Sequence, residues 1–171
     1  MTTPMFGITG WKNSGKTTLA ARLVAELSKR GYAVTAIKHA HESFDIDHPG
    51  RDSYRLREAG ARRVIISSPK RWALMHELGD EPEITFGQIL SEAGPCDLVL
   101  VEGYKRESFP KIEIRRDGSA SRQPLAGTSP QIVAIASDRP GEEEDALPIF
   151  HLEDVAGMTD FITGCLGLAQ R

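Results

Sequence analysis

The octapeptide Gly10-Trp11-Lys12-Asn13-Ser14-Gly15-Lys16-Thr17 fits the pattern G-x-x-x-x-G-K-[ST], and its flanks restrict the fold more than any other stretch. Residues 5–8, with Met5, Phe6 and Ile8, read as a buried strand, and residues 18–27 carry apolar side chains at helical spacing. The chain therefore opens strand, loop, helix. Gly10 and Gly15 permit dihedrals that a Cβ would forbid, so that backbone N–H groups converge on an anion. Lys16 would neutralise outer phosphates, Thr17 would offer its hydroxyl to Mg2+, and the helix N-terminus adds its positive dipole end. Gly10, Asn13, Ser14, Gly15, Lys16, Thr17 and Thr18 are thus expected to hold a nucleotide, with Lys16 also acting in catalysis.

A length of 171 residues, 40% hydrophobic and 26% charged, suits a single compact domain spanning residues 1–171. No run of eighteen apolar residues and no basic-then-apolar leader is evident, so neither a membrane span nor secretion is expected, and a cytoplasmic location is. Cys96 and Cys165 lack metal-like spacing and are expected to stay reduced. A net charge of −3 argues against nucleic acid as a partner.

Gly31 closes the first helix and residues 33–39 read as the next strand, giving a parallel β-α-β unit with a right-handed crossover. Residues 53–59 form an expected short helix before Gly60, and 63–67 with 71–76 an expected hairpin across Ser68-Pro69-Lys70. After a helix over 85–93, the nearly continuous apolar run 96–103 marks a central strand, and 131–136 another buried one. Lys111-Ile112-Glu113-Ile114-Arg115 alternates charged and apolar residues, as an edge or half-exposed strand does. A helix over 153–166 ends the domain, while 117–129 and 139–145 read as surface loops. The expected fold is α/β: a three-layer P-loop NTPase sandwich with a mostly parallel sheet and an inserted or edge β-hairpin.

Glu102 ends the central strand, where open α/β sheets place ligands, and is expected to serve the metal or the attacking water. Between Lys38 and Asp52 lie three histidines and several carboxylates. His39 and His41 would share a face of an extended strand, and Asp47 or Asp45 could serve magnesium, with basic groups for an anionic substrate. Arg51 and Arg55, four apart, would share a helical face within a locally cationic stretch. Asp138 follows the last buried strand, where a carboxylate can accept two hydrogen bonds from the N1/N2 edge of guanine; a simple turn-initiating aspartate is the alternative.

The loop, Ile37-Lys38-His39-Ala40-His41, Phe44-Asp45-Ile46-Asp47-His48-Pro49-Gly50-Arg51-Asp52-Ser53, Ala59-Gly60-Ala61, Arg71-Trp72-Ala73-Leu74-Met75, Leu100-Val101-Glu102-Gly103-Tyr104-Lys105 and Ala136-Ser137-Asp138 together resemble the MobB family of molybdopterin-guanine dinucleotide biosynthesis proteins. The resemblance implies a homodimeric GTP-binding protein of the SIMIBI group with weak GTPase activity. It would assist the guanylyltransferase MobA, which joins GMP to molybdopterin; GTP, Mg2+ and a bound molybdopterin are the implied ligands. In one respect the chain departs from that group: Trp11 stands where deviant phosphate loops carry a second lysine. Three other readings use the same residues. A small-molecule kinase would hold its acceptor along 45–57 with Asp47 or Asp52 as base, a GTPase metal chaperone would use His39, His41 and His48, and a pure binding module would use GTP only to change shape.

Overall fold

The computed structural model describes residues 3–40, 44–143 and 145–171. It resolves two compact units, Met1–His39 with Ala93–Arg171, and Ala40–Glu92.

In the first unit, β1 (Met5–Gly10), β2 (Val34–Lys38), β5 (Leu98–Glu102), β6 (Lys111–Arg115), β7 (Ile132–Ser137) and β8 (Ile149–His151) form one sheet in the order β2-β5-β1-β6-β7-β8. Every neighbouring pair in it is parallel. The mostly parallel α/β sheet expected from the sequence is the one observed. Helix α1 (Lys16–Lys29) buries Leu19, Leu23 and Leu27, spaced four apart on one face, and α4 (Val155–Cys165) buries Met158 and Ile162. These side chains meet Phe6, Ile8, Leu98, Leu100, Ile112 and Ile114 in one core, so both helices lie on the face that those strand residues share. Asp154 caps α4 by accepting the Gly157 N–H at 2.9 Å.

The strand β6 corrects the edge reading. It runs inside the sheet between β1 and β7, and Lys111, Glu113 and Arg115 are 1%, 0% and 3% exposed. The charged alternation marks a second buried face lined with ions. The Lys111 ammonium donates to the Glu107 and Phe109 carbonyls. Glu113 accepts the N–H groups of Leu125 and Ala126, both at 2.8 Å, and pairs with Arg115 at 3.0 Å. Arg115 reaches on to Glu143 at 2.9 Å and Asp145 at 3.1 Å. Burial works against the Arg115 charge, but the Glu113 and Glu143 hydrogen bonds outweigh it and raise the guanidinium pKa. Residues 117–129, read as a surface loop, thereby close this face through main-chain donors. Gly7 belongs to the same face: a Cβ there would lie 2.6 Å from the Phe109 ring.

In the second unit, α2 (Asp52–Glu58) precedes the antiparallel pair β3 (Arg63–Ser67) and β4 (Trp72–His76), the hairpin expected across residues 68–70. Helix α3 (Phe86–Ser91) follows, shorter than expected; Thr85 and Gln88 form a capping box at its start. In the hairpin Val64 is buried, whereas Ile65, Leu74 and Trp72, which share the opposite face by register, are 69%, 41% and 68% exposed.

Candidate functional site

The carboxyl ends of β1, β2 and β5 converge on the loop that links β1 to α1. Gly10 at φ +153° and Gly15 at φ +90° carry the chain through it, and a Cβ on Gly10 would lie 2.7 Å from Ser14 Oγ and 3.0 Å from the Ile114 carbonyl. Asn13 also takes a positive φ of 63°. Gly15 gives α1 no side-chain cap and the first turn of the helix carries no acidic residue. Its first N–H groups therefore face outward without an intrahelical acceptor, the electrostatics of an anion seat.

Charged side chains complete the cluster. Thr17 Oγ1 donates to the Glu102 carboxylate, 3.0 Å from either oxygen. The Lys38 ammonium donates to Thr17 Oγ1 at 2.8 Å and lies 3.4 Å from Glu102 Oε1. Lys16 folds over the loop to donate to the carbonyls of Trp11 at 2.7 Å and Gly10 at 3.2 Å. Burial pushes the Lys16 ammonium below the usual lysine range; Glu102 partly offsets this, while Lys105 and Lys38 add to it. Lys38 and Lys105 both repel Lys16 beside Glu102, an excess of positive charge that a polyanion would relieve. Oxygen donors of the Thr17 and Glu102 type, already gathered about a cation, also fit a magnesium ion.

The lowered Lys16 pKa has a consequence for ligand binding. Phosphate favours the charged ammonium, so anion affinity should be level near neutrality and fall as pH climbs, beginning below the range in which an ordinary lysine loses its proton. For folding, the same shift is unfavourable while Lys16 is charged in both states, and the cost disappears as pH rises past the unfolded lysine value. GTP titrations from about pH 7 to about pH 10 check the first point; affinity that stays level to the upper limit would contradict it.

The other residues singled out from the sequence fall as follows. Thr18 is exposed on the first turn of α1. Ser14 is buried and, among the described residues, its Oγ has no hydrogen-bond partner, so any contact with a ligand would pass through the main chain. His39 stacks on Tyr104, ring centroids 4.6 Å apart, just beyond Glu102. His41 lies outside the described residues. Asp45 and Asp47 belong to the second unit and meet Arg57, at 2.9 and 3.4 Å, while Asp47 also accepts Ser53 Oγ at 2.9 Å ahead of α2. Arg51 and Arg55 are exposed at the start and on the body of α2. A cavity of about 420 Å³ is lined by Arg51, Ser53, Leu56, Val64 and Ile66 among others. Among the described residues, no three His, Cys, Asp or Glu side chains gather as metal ligands would.

Asp138 stands at the end of β7, where its carboxylate accepts the Asp117 N–H at 2.7 Å and Arg122 at 2.9 Å. Burial would raise its pKa, but these two donors prevail and hold it below the usual carboxylate range. Arg122 has two further partners, Glu143 and Asp117, each at 2.8 Å. Residues 116–123 link this end of the sheet to the glycine loop. Ala120 N–H donates to the Lys12 carbonyl at 2.8 Å and Trp11 Nε1 to the Gln123 carbonyl at 2.8 Å. Trp11 is thus a structural anchor, with Lys105 over its indole ring at 5.2 Å.

Two cations escaped the sequence reading as site residues. Lys38 ends the edge strand β2 in register with Glu102, a pairing that no local sequence pattern carries. Arg116 lies 3.4 Å from the point where a Gly15 Cβ would stand, and only the turn after β6 brings it there.

Fold and loop define an α/β protein of the P-loop architecture, a parallel sheet whose first strand enters its first helix through a glycine-rich turn. The chain belongs to the MobB family: the profile described as molybdopterin guanine dinucleotide synthesis protein B matches residues 5–138. It is 40% identical over 161 residues to the molybdopterin-guanine dinucleotide biosynthesis adapter protein of Escherichia coli, covering 93% of this chain and 91% of that protein. The Haemophilus influenzae adapter protein is 36% identical over 163 residues, with 95% and 89% covered. Among solved structures, a MobB homolog from Bacillus stearothermophilus superposes with a TM-score of 0.68 at 26% identity, over 94% of this chain and 98% of that one. Bacillus subtilis MobB does so at 0.75 and 24% identity, over 95% and 98%, a likeness of fold alone.

Proposed function

We propose that this protein is a GTP-binding adapter with slow, Mg2+-dependent GTPase activity that assists the guanylyltransferase MobA in attaching GMP to molybdopterin. The Lys16–Thr17–Glu102 cluster carries this reading, because it joins an anion seat to a hard-oxygen cation site in a member of the MobB family. Phosphate oxygens would take the N–H groups of Gly15, Lys16, Thr17 and Thr18, and Lys16 would exchange its carbonyl contacts for them. A magnesium ion held by Thr17 and Glu102 would supply charge neutralisation at the β- and γ-phosphates. Glu102 is then committed to the metal side and makes a poor base for water, which is why turnover should be slow.

Selection of guanine falls to Asp138. To accept the N1 and N2 donors it must release Arg122, which keeps Glu143 and Asp117 as partners, so the exchange strands no charge. In the second unit, the cavity beside Arg51 combines a cation with the apolar bed of Leu56, Val64 and Ile66, the chemistry of a flat heterocycle bearing phosphate, as in molybdopterin.

The protein's own partner would be a second copy. Ile65, Leu74 and Trp72 present an apolar face on a two-stranded sheet, which a homodimer would cover. An Ile65→Glu substitution is expected to shift the protein from dimer to monomer in sedimentation velocity, and a wild-type monomer at all concentrations would contradict this.

Incubation with Mg2+ and γ-labelled GTP tests the enzymatic part. Slow release of labelled phosphate, together with faster guanine dinucleotide formation when the protein is added to the guanylyltransferase, supports the adapter. Transfer of label to a metabolite would instead establish a kinase.

A further inference from the structure

The ammonium of Lys38 sits where two oxygen donors of the proposed metal site meet. Its Nζ is 2.8 Å from Thr17 Oγ1 and 3.4 Å from Glu102 Oε1, and those two groups are 3.0 Å from each other. The backbone of Lys38 is fixed: it pairs in register with Glu102, and the next N–H, of His39, donates to the Glu102 carbonyl at 2.9 Å. The side chain is the more exposed of the ion pair, 54% against 11% for Glu102, so solvent leaves it room to move. We propose that Lys38 is a second phosphate-binding lysine that, before nucleotide arrives, neutralises Thr17–Glu102 in the place of the divalent cation. This rests on the nucleotide reading above.

Two cations cannot share that position, because a metal at about 2.1 Å from both oxygens would stand nearly in contact with the ammonium. Lys38 must therefore yield, and its four-carbon stem, anchored at the end of β2, swings from a pinned Cα to the nearest unsatisfied negative charge, the terminal phosphate. The loop itself has Trp11 rather than lysine five residues before Lys16. With the Trp11 indole engaged by Gln123 and Lys105, the second cation comes from the neighbouring strand end. Charge balance makes the swap reciprocal: Lys38 leaves Glu102 only when metal replaces it, and it gains a phosphate only when nucleotide is present. Metal and triphosphate should accordingly bind with positive coupling.

Lys38→Met keeps the stem and removes the charge. Mn2+ binding followed by electron paramagnetic resonance, without nucleotide, should tighten several-fold in Lys38→Met relative to wild type, because the competing ammonium is gone. Affinity for a non-hydrolysable GTP analogue at fixed Mn2+ should fall about tenfold, and Lys38→Arg should recover most of it. Equal Mn2+ and analogue affinities in wild type and Lys38→Met would overturn the proposal while leaving the nucleotide site standing, as a merely solvated ion pair would behave. Failure of wild type to bind the analogue at all would overturn the nucleotide reading and this proposal with it.

Discussion

Replacing Glu113 by alanine is expected to lower the free energy of unfolding by about 3–5 kcal/mol. Glu113 is fully buried in the middle of β6, where one carboxylate takes two main-chain N–H groups and one guanidinium. Alanine leaves the part-buried Leu125 and Ala126 N–H groups without an acceptor, and each such donor costs about 1–3 kcal/mol. Arg115 keeps Glu143 and Asp145, so its charge is not abandoned, and the loss stays within that range. Glu113→Gln keeps an acceptor oxygen and should lose roughly half as much. Urea denaturation with an unchanged slope measures both. A loss under about 0.5 kcal/mol would return β6 to the half-exposed strand that its alternation suggested. Because the Leu125–Ala126 segment is continuous with the loop contacting Trp11 and Lys12, destabilisation there should also loosen the glycine loop.

Lys16→Ala is expected to weaken GTP binding about 100-fold, or ~3 kcal/mol, the upper range for a charge-assisted hydrogen bond. Two facts place the effect in binding rather than folding. Lys16 is the first residue of α1, ahead of the buried Leu19, Leu23 and Leu27. Its present partners are the carbonyls of Gly10, buried at the end of β1, and of half-buried Trp11, and neither residue belongs to the hydrophobic core beneath α1. Removing a desolvated cation from the neighbourhood of Lys38 and Lys105 also relieves repulsion, so the melting temperature should hold or rise slightly. Calorimetric titration beside a thermal melt separates the two quantities. A change in affinity below about threefold would mean that Lys16 does not face the phosphates.

Where local pattern and tertiary role coincide, the sequence is readable. The passage from β1 through Gly10–Thr17 into α1, the central strand ending at Glu102, and the hairpin across residues 68–70 each combine a periodic run with a turn residue that its geometry needs. Glu102 beside Thr17 follows from the same logic, since strand ends and loop must meet in a parallel sheet. The strand β6 shows where that logic stops. Alternating charge normally signals solvent, and only long-range partners, Leu125, Ala126, Glu143 and Asp145, turn its polar side inward. The strand β8 carries no such signal, because three residues after an acidic loop are too few for a period. Lys38 was visible as a residue but not as a member of the site, because its role depends on register with Glu102, which no local pattern encodes. Asp45 and Asp47 looked like metal ligands by type, yet their nearest cationic partner is Arg57 from α2. The apolar face of Ile65, Leu74 and Trp72 reads in sequence as an ordinary strand interior, and its exposure emerges only once the hairpin is seen paired with nothing but itself among the described residues.

We propose that the loop and its surroundings bind a guanine nucleotide together with a metal. Calorimetric titration of the wild-type protein with GTP and with ATP, each with and without Mg2+, addresses it in one experiment. Binding of GTP that tightens with Mg2+ and exceeds that of ATP by at least about tenfold is the expected result. Equal affinity for the two nucleotides, or no binding of either, would contradict it.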